Sequence, residues 1–375
     1  MGLTVPPELE AVSAAFDFAG EVVACEPFGG GHINDSFRLT CRAPEGTTGY
    51  LLQRINARVF RAPARVMENI QRVTEHVARR LAVAGIADLT RRTLTLTATK
   101  AGAAFHRAAD GACWRAYRFI ERTRVHALVE TPAQAEQAGR AFGEFQRLLA
   151  DLPPPRLHET IADFHNTPAR FEAFDRACAA DVCQRVRRAT AEIEFARQHR
   201  PLADVLLDLQ RRGAIPERVV HNDAKITNVL LDEDSGEALC IVDLDTVMPG
   251  LSLYDFGDMV RSMTCPAPED ETDLARVEVQ PSLFAALARG YVSAAGAFLT
   301  AAERAHLVTA GELITLEQGV RFLTDYVAGD TYYKTRHPEH NLERCRAQFK
   351  LLQSLQRQEH ALSRIVADCA KASPS

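Results

Sequence analysis

A short polar segment in the second half of the chain carries the residue types that phosphoryl transfer needs. It contains His221, Asp223, Lys225 and Asn228 in the spacing H-x-D-x-K-x-x-N, and Asp243 follows fifteen residues after the asparagine. Phosphoryl transfer requires a carboxylate to orient the attacking hydroxyl, oxygen ligands for magnesium, and positive charge near the transferred group. The segment offers all three and therefore predicts phosphoryl-transfer chemistry.

Two apolar runs indicate how these residues would be positioned. Residues 229–231 and 238–242 are strand candidates, joined by the polar turn DEDSGE. In a hairpin the start of the first strand lies beside the end of the second, so Asn228 and Asp243 are expected at one end. There they could bind Mg2+ through oxygen atoms, with Asp223 on the loop just before. Asp245 is expected either to support this site or to contact the metal.

Three consecutive glycines, Gly29, Gly30 and Gly31, lie between strand-like runs at residues 22–28 and 36–41. At a hairpin tip, glycine amides can approach phosphates without obstruction by side chains. A simple turn is the alternative interpretation of the glycines alone. Their place well ahead of the polar segment favours a nucleotide-phosphate loop.

The cation that pairs with ATP phosphates is expected to be an arginine, because no lysine precedes Lys100. Arg54 in YLLQRIN is the natural choice, since a guanidinium is always charged and can bind phosphate oxygens with two donors. Glu68 or Glu75 on the following helix could orient it. An exposed Arg54, or one that faces Glu45, is the alternative.

The surrounding elements predict an α+β, bilobal, protein-kinase-like fold. Strand-like runs at 50–55, 93–99 and 114–120 would complete an antiparallel sheet, with one amphipathic helix that begins at Pro63 and is closed by Gly85. This small N-lobe spans residues 1–120. The C-lobe spans residues 121–375, and its helices are expected at 133–150, 168–199, 201–212, 282–297, 301–327 and 341–369. Adenine would bind at the lobe junction, against the backbone from Glu121 to Thr123.

The composition is that of an ordinary globular protein. Of 375 residues, 46% are hydrophobic and 25% charged, and this length favours two lobes. A net charge of -5 gives no general attraction to nucleic acid or anionic lipid, so we expect neither as a partner. No signal peptide and no membrane-spanning run is apparent, and the nine scattered cysteines favour free thiols. A cytoplasmic location is expected.

The polar segment resembles the catalytic loop and metal-binding aspartate of protein kinases and of aminoglycoside, choline and homoserine kinases. The resemblance implies that Asp223 is the catalytic base and that Asn228 and Asp243 hold Mg2+. It also implies that Asp255 or Asp258 braces the loop. The DFG triplet at residues 255–257 lies 27 residues beyond Asn228, too far to be the metal-binding triplet.

Longer strings resemble the N-acetylhexosamine 1-kinases. They are GGGHINDSF, YLLQRIN, VMENI, HNDAKITN, IVDLDTVM and RFLTDYVAGDTYY, and they run from about residue 21 to residue 360. The resemblance implies transfer from ATP to the C1 hydroxyl of GlcNAc or GalNAc, by direct in-line attack. It implies sugar contacts from His32, Asn34, Asp223, Arg321 and Tyr332. Lys225 is a further candidate catalytic residue, because the chain has only five lysines and one of them lies in the polar segment.

Other functions stay open at this stage. A choline, homoserine or aminoglycoside kinase would need a site for a cation, yet the single tryptophan, Trp114, lies in the N-lobe and Arg321 would repel a cation. A nucleotide-binding pseudokinase is disfavoured by the intact set of Asp223, Asn228 and Asp243. Arg321 as a helix-surface residue, Tyr332 as a packing residue and Lys225 as a surface lysine are the structural alternatives. The preference between GlcNAc and GalNAc is left open.

Overall fold

A computed structural model of the protein describes residues 7–29 and 33–372. The chain forms two compact units. The first comprises Met1–Arg124, Asp151–Ala162 and Leu230–Met248, and the second comprises Val125–Ala150, Asp163–Val229 and Pro249–Ser375. The first long stretch ends close to residue 120, the predicted limit of the N-lobe, and two later segments also join the first unit.

The first unit is built on an antiparallel sheet. Its strands are β1 (Glu21–Pro27), β2 (Asp35–Ala43), β3 (Gly46–Ile55), β4 (Leu96–Thr97), β5 (His106–Arg107) and β6 (Cys113–Arg118). Their order is β1-β2-β3-β6-β4, with β5 also paired to β6, and every pair is antiparallel. The turn from β2 to β3 ends at Gly46, whose φ of 138° is a conformation that glycine adopts without steric cost.

The two faces of this sheet differ in polarity. Tyr50 and Leu52 are buried in an apolar cluster together with helix α1 (Pro7–Ser13). Because successive side chains of a strand point to opposite faces, Gln53 lies on the other face. Arg115 on β6 bonds to it there. The sheet therefore has one apolar face and one face with a polar centre.

The main helix of the first unit is α2 (Pro63–Val83), as predicted. Proline suits the first turn of a helix because its missing N–H has no partner there. Asn69, buried on this helix, donates to the carbonyl oxygens of His158 at 2.8 Å and Val247 at 3.0 Å, and it accepts from the amide of His158. The asparagine thus ties α2 to both of the later segments that belong to this unit. A short helix, α3 (Leu89–Arg92), follows.

Five short strands surround the polar segment. They are β7 (Thr123–Arg124), β8 (Arg218–Val220), β9 (Val229–Asp232), β10 (Ala238–Ile241) and β11 (Met248–Gly250). Strands β10, β9 and β7 form one sheet in that order, and β11 pairs with β8. The hairpin predicted from residues 229–242 is therefore present as β9 and β10.

The second unit is mostly helical. Its α-helices are α4 (Pro132–Leu149), α5 (Thr167–Ala180), α6 (Thr190–His199), α7 (Val205–Arg211), α8 (Ser252–Met263), α9 (Pro281–Ala295), α10 (Ala301–Ala305), α11 (Leu307–Ala328) and α12 (His340–Ala372). Helices α5, α6, α11 and α12 share one buried apolar core. The α+β prediction, with an antiparallel-sheet N-terminal region and a helical C-terminal region, is confirmed.

Two helix predictions were wrong in detail. The single helix expected at 168–199 is divided, because Asp181 and Gln184 adopt left-handed backbone conformations with φ of 37° and 53°, which no helix interior accommodates. The helix expected at 301–327 is interrupted at His306. Helix α8 was not predicted. In the described part of the chain, no helix combines the length and the apolar character needed to cross a lipid bilayer.

Candidate active site

Asp223 lies on the loop that follows β8. Its carboxylate pairs with Lys225 Nζ at 2.9 Å and accepts a hydrogen bond from Asn228 Nδ2 at 3.1 Å. Asn228 Nδ2 also donates to the carbonyl oxygen of Asp223 at 2.8 Å. Burial by itself would raise the pKa of Asp223, but the charge and hydrogen bond of Lys225, with His221 and Asn228, lower it on balance. Asp223 is therefore a carboxylate at neutral pH, the form that can accept a proton.

Asp255 braces this loop. It is fully buried on α8 and accepts hydrogen bonds from the amides of His221 at 2.9 Å and Asn222 at 2.7 Å, and from Gln146 Nε2 at 2.7 Å. Of the two aspartates expected in this role, Asp255 fills it, while Asp258 pairs with Arg261. Asp255 of the DFG triplet thus supports the loop through the backbone amides of His221 and Asn222.

His221 has a structural place in the same loop. Its side chain is fully buried, and the imidazole ring packs edge-on against Phe142 and Phe145, at centroid distances of 5.5 and 6.0 Å. This position suits a residue that supports the loop.

A buried histidine and glutamate hold the loop from another side. His165 Nδ1 lies 2.8 Å from Glu317 Oε1, and its Nε2 lies 3.1 Å from the carbonyl oxygen of Asn222. Thr167 donates to Glu317 Oε2 at 2.6 Å. Burial would raise the pKa of Glu317, but the nearby His165, Arg321 and Thr167 lower it. These interactions were not predicted, because His165 and Glu317 lie 152 residues apart in the chain.

The predicted metal ligands are an amide oxygen and a carboxylate. Asn228 directly precedes β9, and its amide nitrogen is directed to Asp223, which leaves Oδ1 as its ligand atom. Asp243 is exposed and follows β10, with a left-handed φ of 60°. Hard oxygen atoms of this kind are the ligands that Mg2+ prefers, so this donor set fits the ion. Within residues 7–29 and 33–372, no group of three or more His, Cys, Asp or Glu is arranged to hold a metal.

The polar face of the first sheet carries a buried ion pair. Arg115 binds Asp245 with both terminal nitrogens, Nη2 to Oδ2 at 3.0 Å, and its Nε donates to Gln53 Oε1 at 3.0 Å. The side chains of Arg115 and Asp245 are only 1% and 3% exposed. The arginine inside the mostly apolar strand CWRAYR was the signal that could have revealed this pair. A buried arginine is rarely left without a carboxylate partner. Asp245 is therefore the partner of an arginine.

Asn34 belongs to this network. Its Nδ2 donates to Asp245 Oδ2 at 2.6 Å, and its Oδ1 accepts from the amide of Asn56 at 2.9 Å. Both ends of its amide are hydrogen-bonded within the first unit, and the sugar contact expected of Asn34 stays a prediction. Asn34 connects Asp245 to the segment at Asn56.

Arg54 has the exposed position that was the alternative in the sequence analysis. Arg54 shares its sheet face with the apolar residues of β3, is exposed, and lies 3.4 Å from Asp110. Glu68, one of its expected partners, instead contacts His158 at 2.8 Å, and Glu75 accepts from Gln71. Arg115 is the cation on the opposite face of the sheet.

The remaining nucleotide-side predictions fall on the first unit. Gly29 has a φ of 75°, whereas Gly30, Gly31 and His32 lie outside the described residues. Glu121 pairs with Arg38 at 3.0 Å. Thr123 donates to the carbonyl oxygen of Ile120 and begins β7.

Arg321 and Tyr332 lie in the second unit. The Arg321 guanidinium stacks over Phe164 at 5.3 Å and Tyr333 at 5.8 Å, and Nη1 donates to Gln318 Oε1 at 3.0 Å. Tyr332 is 60% exposed. Neither is an ordinary packing residue, because the arginine is partly buried against aromatic rings and the tyrosine faces outward.

Comparisons with known proteins agree with this arrangement. The APH phosphotransferase enzyme family matches residues 24–306. An aminoglycoside phosphotransferase from Alicyclobacillus acidocaldarius is similar over 99% of this chain and 97% of its own, with 14% identity and a TM-score of 0.56. A microcompartment-associated aminopropanol kinase covers 95% and 98%, with 13% identity and a TM-score of 0.56. An amicoumacin kinase in complex with AMP-PNP, Ca2+ and Ami covers 99% and 95%, with 12% identity and a TM-score of 0.55. These similarities confirm the protein-kinase-like fold.

Proposed function

The chain belongs to the APH phosphotransferase enzyme family, and we propose that it is an ATP-dependent kinase that phosphorylates the C1 hydroxyl of N-acetylhexosamines. The observation that carries the chemistry is the ionised Asp223, held beside Lys225 and Asn228 on a loop braced by Asp255. The sugar assignment rests on the strings RFLTDYVAGDTYY and HIND and on the position of Arg321.

The reaction is a single in-line displacement. Asp223 orients the C1 hydroxyl and accepts its proton, the C1 oxygen bonds to the γ-phosphorus, and the bond to the β,γ-bridging oxygen breaks to leave ADP. Asn228 Oδ1 and Asp243 would hold Mg2+, which would neutralise charge on the phosphates when bound. Lys225 places a positive charge beside the transferred group.

The nucleotide site combines residues of the first unit. Backbone amides of Gly29, Gly30 and Gly31 approach the phosphates, and the backbone from Glu121 to Thr123 binds adenine. Arg54 stays a candidate for phosphate contact. Arg115 is the stronger candidate for a supporting role, since it fixes Asp245 two residues after Asp243.

The acceptor site combines polar donors with aromatic rings. Arg321, Tyr332 and His32 are the proposed sugar contacts besides Asp223. Hydrogen-bond donors and a flat aromatic surface suit a sugar that carries hydroxyls and an acetamide. A half-buried arginine disfavours a cationic acceptor.

The test is ADP release with ATP and Mg2+ across GlcNAc, GalNAc, glucose, galactose, choline, homoserine and kanamycin, with phosphorus NMR of the product. An anomeric phosphate from an N-acetylhexosamine supports the proposal. Turnover confined to choline, homoserine or kanamycin would remove the sugar assignment and keep the kinase chemistry.

Replacement of Asp223 by Asn tests the catalytic base. We expect kcat to fall by about a hundredfold to ten-thousandfold, while binding of a fluorescent ATP analogue is retained. The exposed Asp368→Asn on α12 is the matched control and should leave kcat unchanged. Activity of Asp223→Asn within tenfold of the original protein would show that another group accepts the proton.

A further inference from the structure

Two arginines of the second unit converge on Phe164. Arg170 donates to the Phe164 carbonyl oxygen through Nη2 at 2.8 Å and Nε at 3.3 Å, and Arg321 stacks on the ring of the same residue at 5.3 Å. Both side chains are half-buried. The two guanidinium groups thus contact the same residue, Arg170 at its carbonyl oxygen and Arg321 at its ring.

Neither guanidinium has a carboxylate within 4 Å in the part of the chain that the structure describes. Partly buried arginines nearby in the same unit have such partners. Arg185 pairs with Asp330 at 2.6 Å, and Arg261 pairs with Asp258 at 2.8 Å. The convergent pair therefore carries positive charge that is not compensated locally.

Glu317 is the carboxylate whose charge acts on both arginines, and it favours their protonated forms. Its two oxygens are already hydrogen-bonded to His165 and Thr167. Burial and then the charge of Arg321 lower the pKa of Arg170. An arginine stays protonated under such conditions, so the pair keeps two positive charges against one committed carboxylate.

The surroundings of the pair connect it to the catalytic loop. Phe164 is followed by His165, whose Nε2 contacts the carbonyl oxygen of Asn222, and Asn222 precedes Asp223. Tyr332 and Tyr333 pack edge-on at 4.8 Å, and Tyr333 is one of the rings under Arg321. The positive pair is thus linked to the catalytic loop through Phe164 and His165.

We propose that Arg170 and Arg321 form a subsite for an oxyanion, a carboxylate or a phosphate monoester, carried by the acceptor. This inference builds on the proposed function, since it specifies an acidic N-acetylhexosamine as the preferred substrate. Two guanidinium groups can bind one oxyanion through charge-assisted hydrogen bonds and would repel an ammonium group. The acceptor hydroxyl is still phosphorylated as described above.

A matched series of acceptors tests the preference. The series comprises GlcNAc, its C6 carboxylic acid, its 6-phosphate, its 3-O-lactyl ether and glucosamine. We expect at least one acidic member to exceed GlcNAc in kcat/KM by about tenfold to a hundredfold, the range of a charge-assisted hydrogen bond. The carboxylates and the phosphate ester distinguish the two kinds of oxyanion.

Variants assign the preference to the pair. Arg170→Gln and Arg321→Gln should each raise KM for the acidic acceptor about tenfold, leave KM for ATP unchanged and bring the acidic-to-neutral ratio close to one. The exposed Arg187→Gln is the matched control. Arg321→Lys keeps the charge and should recover part of the ratio, and circular dichroism melts identify any variant that fails to fold.

A binding measurement separates this inference from the proposed function. Inorganic phosphate and sodium lactate are titrated by thermal shift in the presence of saturating ADP, against the original protein and Arg321→Gln. Anion-dependent stabilisation that Arg321→Gln loses supports the subsite even if no sugar is phosphorylated. Turnover of GlcNAc with no acidic preference and no anion-dependent shift would overturn the subsite and leave the sugar kinase intact.

Discussion

Neighbouring groups give different pKa values to Asp223, on the catalytic loop, and to Asp255, on α8 behind that loop. Asp255 is fully buried, and its pKa is raised by burial despite the donors around it. Asp223 has a cation at 2.9 Å, so its pKa is lowered. An ion pair favours the charged form strongly, whereas neutral donors offset burial only in part. The loop thus carries the reactive carboxylate, and helix α8 supplies the carboxylate that braces it.

The Arg115–Asp245 pair is predicted to control the stability of the first unit. Removing one partner from a buried ion pair leaves the other charge uncompensated and costs about 3–5 kcal/mol. We expect that loss for Arg115→Met or Asp245→Leu in urea unfolding. The double variant should be clearly less destabilised than the sum of the two.

The exposed pair of Arg54 and Asp110 provides the control for that cycle. Arg54→Met should change the free energy of unfolding by less than about 1 kcal/mol. Additive losses at Arg115 and Asp245 would show that the two side chains act independently and would contradict the ion-pair assignment.

Glu312 on α11 is predicted to make stability depend on pH. It is 8% exposed, its Oε1 has no hydrogen-bond partner among the described residues, and burial with nearby Glu359 raises its pKa to about 7. The folded state then holds a proton that the unfolded state releases from about pH 4.5, so stability falls as pH rises toward 7. Glu312→Gln should be more stable than the original protein at pH 8, by up to roughly 3 kcal/mol.

Urea unfolding at pH 5, 6, 7 and 8 measures this effect. The advantage of Glu312→Gln should grow with pH and level off above the folded-state pKa. Glu359→Gln, which removes only the smaller cause, should show a weaker trend. A constant difference between Glu312→Gln and the original protein at every pH would argue against titration of Glu312.

Sequence distance decided which site residues could be predicted. His221, Asp223, Lys225 and Asn228 fall within eight positions, so their spacing carried a recognisable pattern. Arg115 meets its partner across 130 residues. No local pattern contains both members of such a pair. Arg54 was predicted because no lysine precedes Lys100, and alternation along β3 places its side chain on the same face as the buried Tyr50 and Leu52.

At the scale of elements, α4 and α9 pack closely because both contain glycine. A Cβ added at Gly290 would overlap the carbonyl oxygen of Glu136, and one at Gly139 would overlap that of Leu287. Backbone atoms cannot move aside as a flexible side chain can. We expect Gly290→Ala to destabilise the protein by about 1–3 kcal/mol, as overpacking does.

Thermal and urea unfolding measure the effect of that change. Ser293→Ala, an exposed position on the same helix, is the control and should shift stability by less than about 0.5 kcal/mol. An unchanged unfolding midpoint for Gly290→Ala would show that α4 and α9 can move apart with no loss of stability.

Helix α8 escaped prediction for a physical reason. Ten of the twelve residues of α8 are buried, so this helix has no polar stripe and no 3.6-residue alternation to detect. Helix α2 was predicted well because Val66, Ile70, Val73 and Val77 are buried on one side. Hydrophobic periodicity detects helices that have one apolar and one polar side, and it did not detect the buried helix α8.

At the scale of the molecule, each unit has its own apolar core. The first unit buries one face of its sheet against α1, and the second buries the helices around α11 and α12. Composition and element order were enough to predict a sheet region followed by a helical region. They could not predict that residues 151–162 and 230–248 return to the first unit, because the contacts that bring them back are few and distant in sequence.

This return has a consequence for synthesis on the ribosome. The sheet strands emerge first, but Asp245 and Val247, the partners of Arg115 and Asn69, lie near the end of the last segment of that unit. At about 5–20 residues per second, translation from Arg124 to Met248 takes on the order of ten seconds. Throughout that interval Arg115 and Asn69 are hydrated by water, and the polar contacts that complete the first unit form only after Met248 has been made.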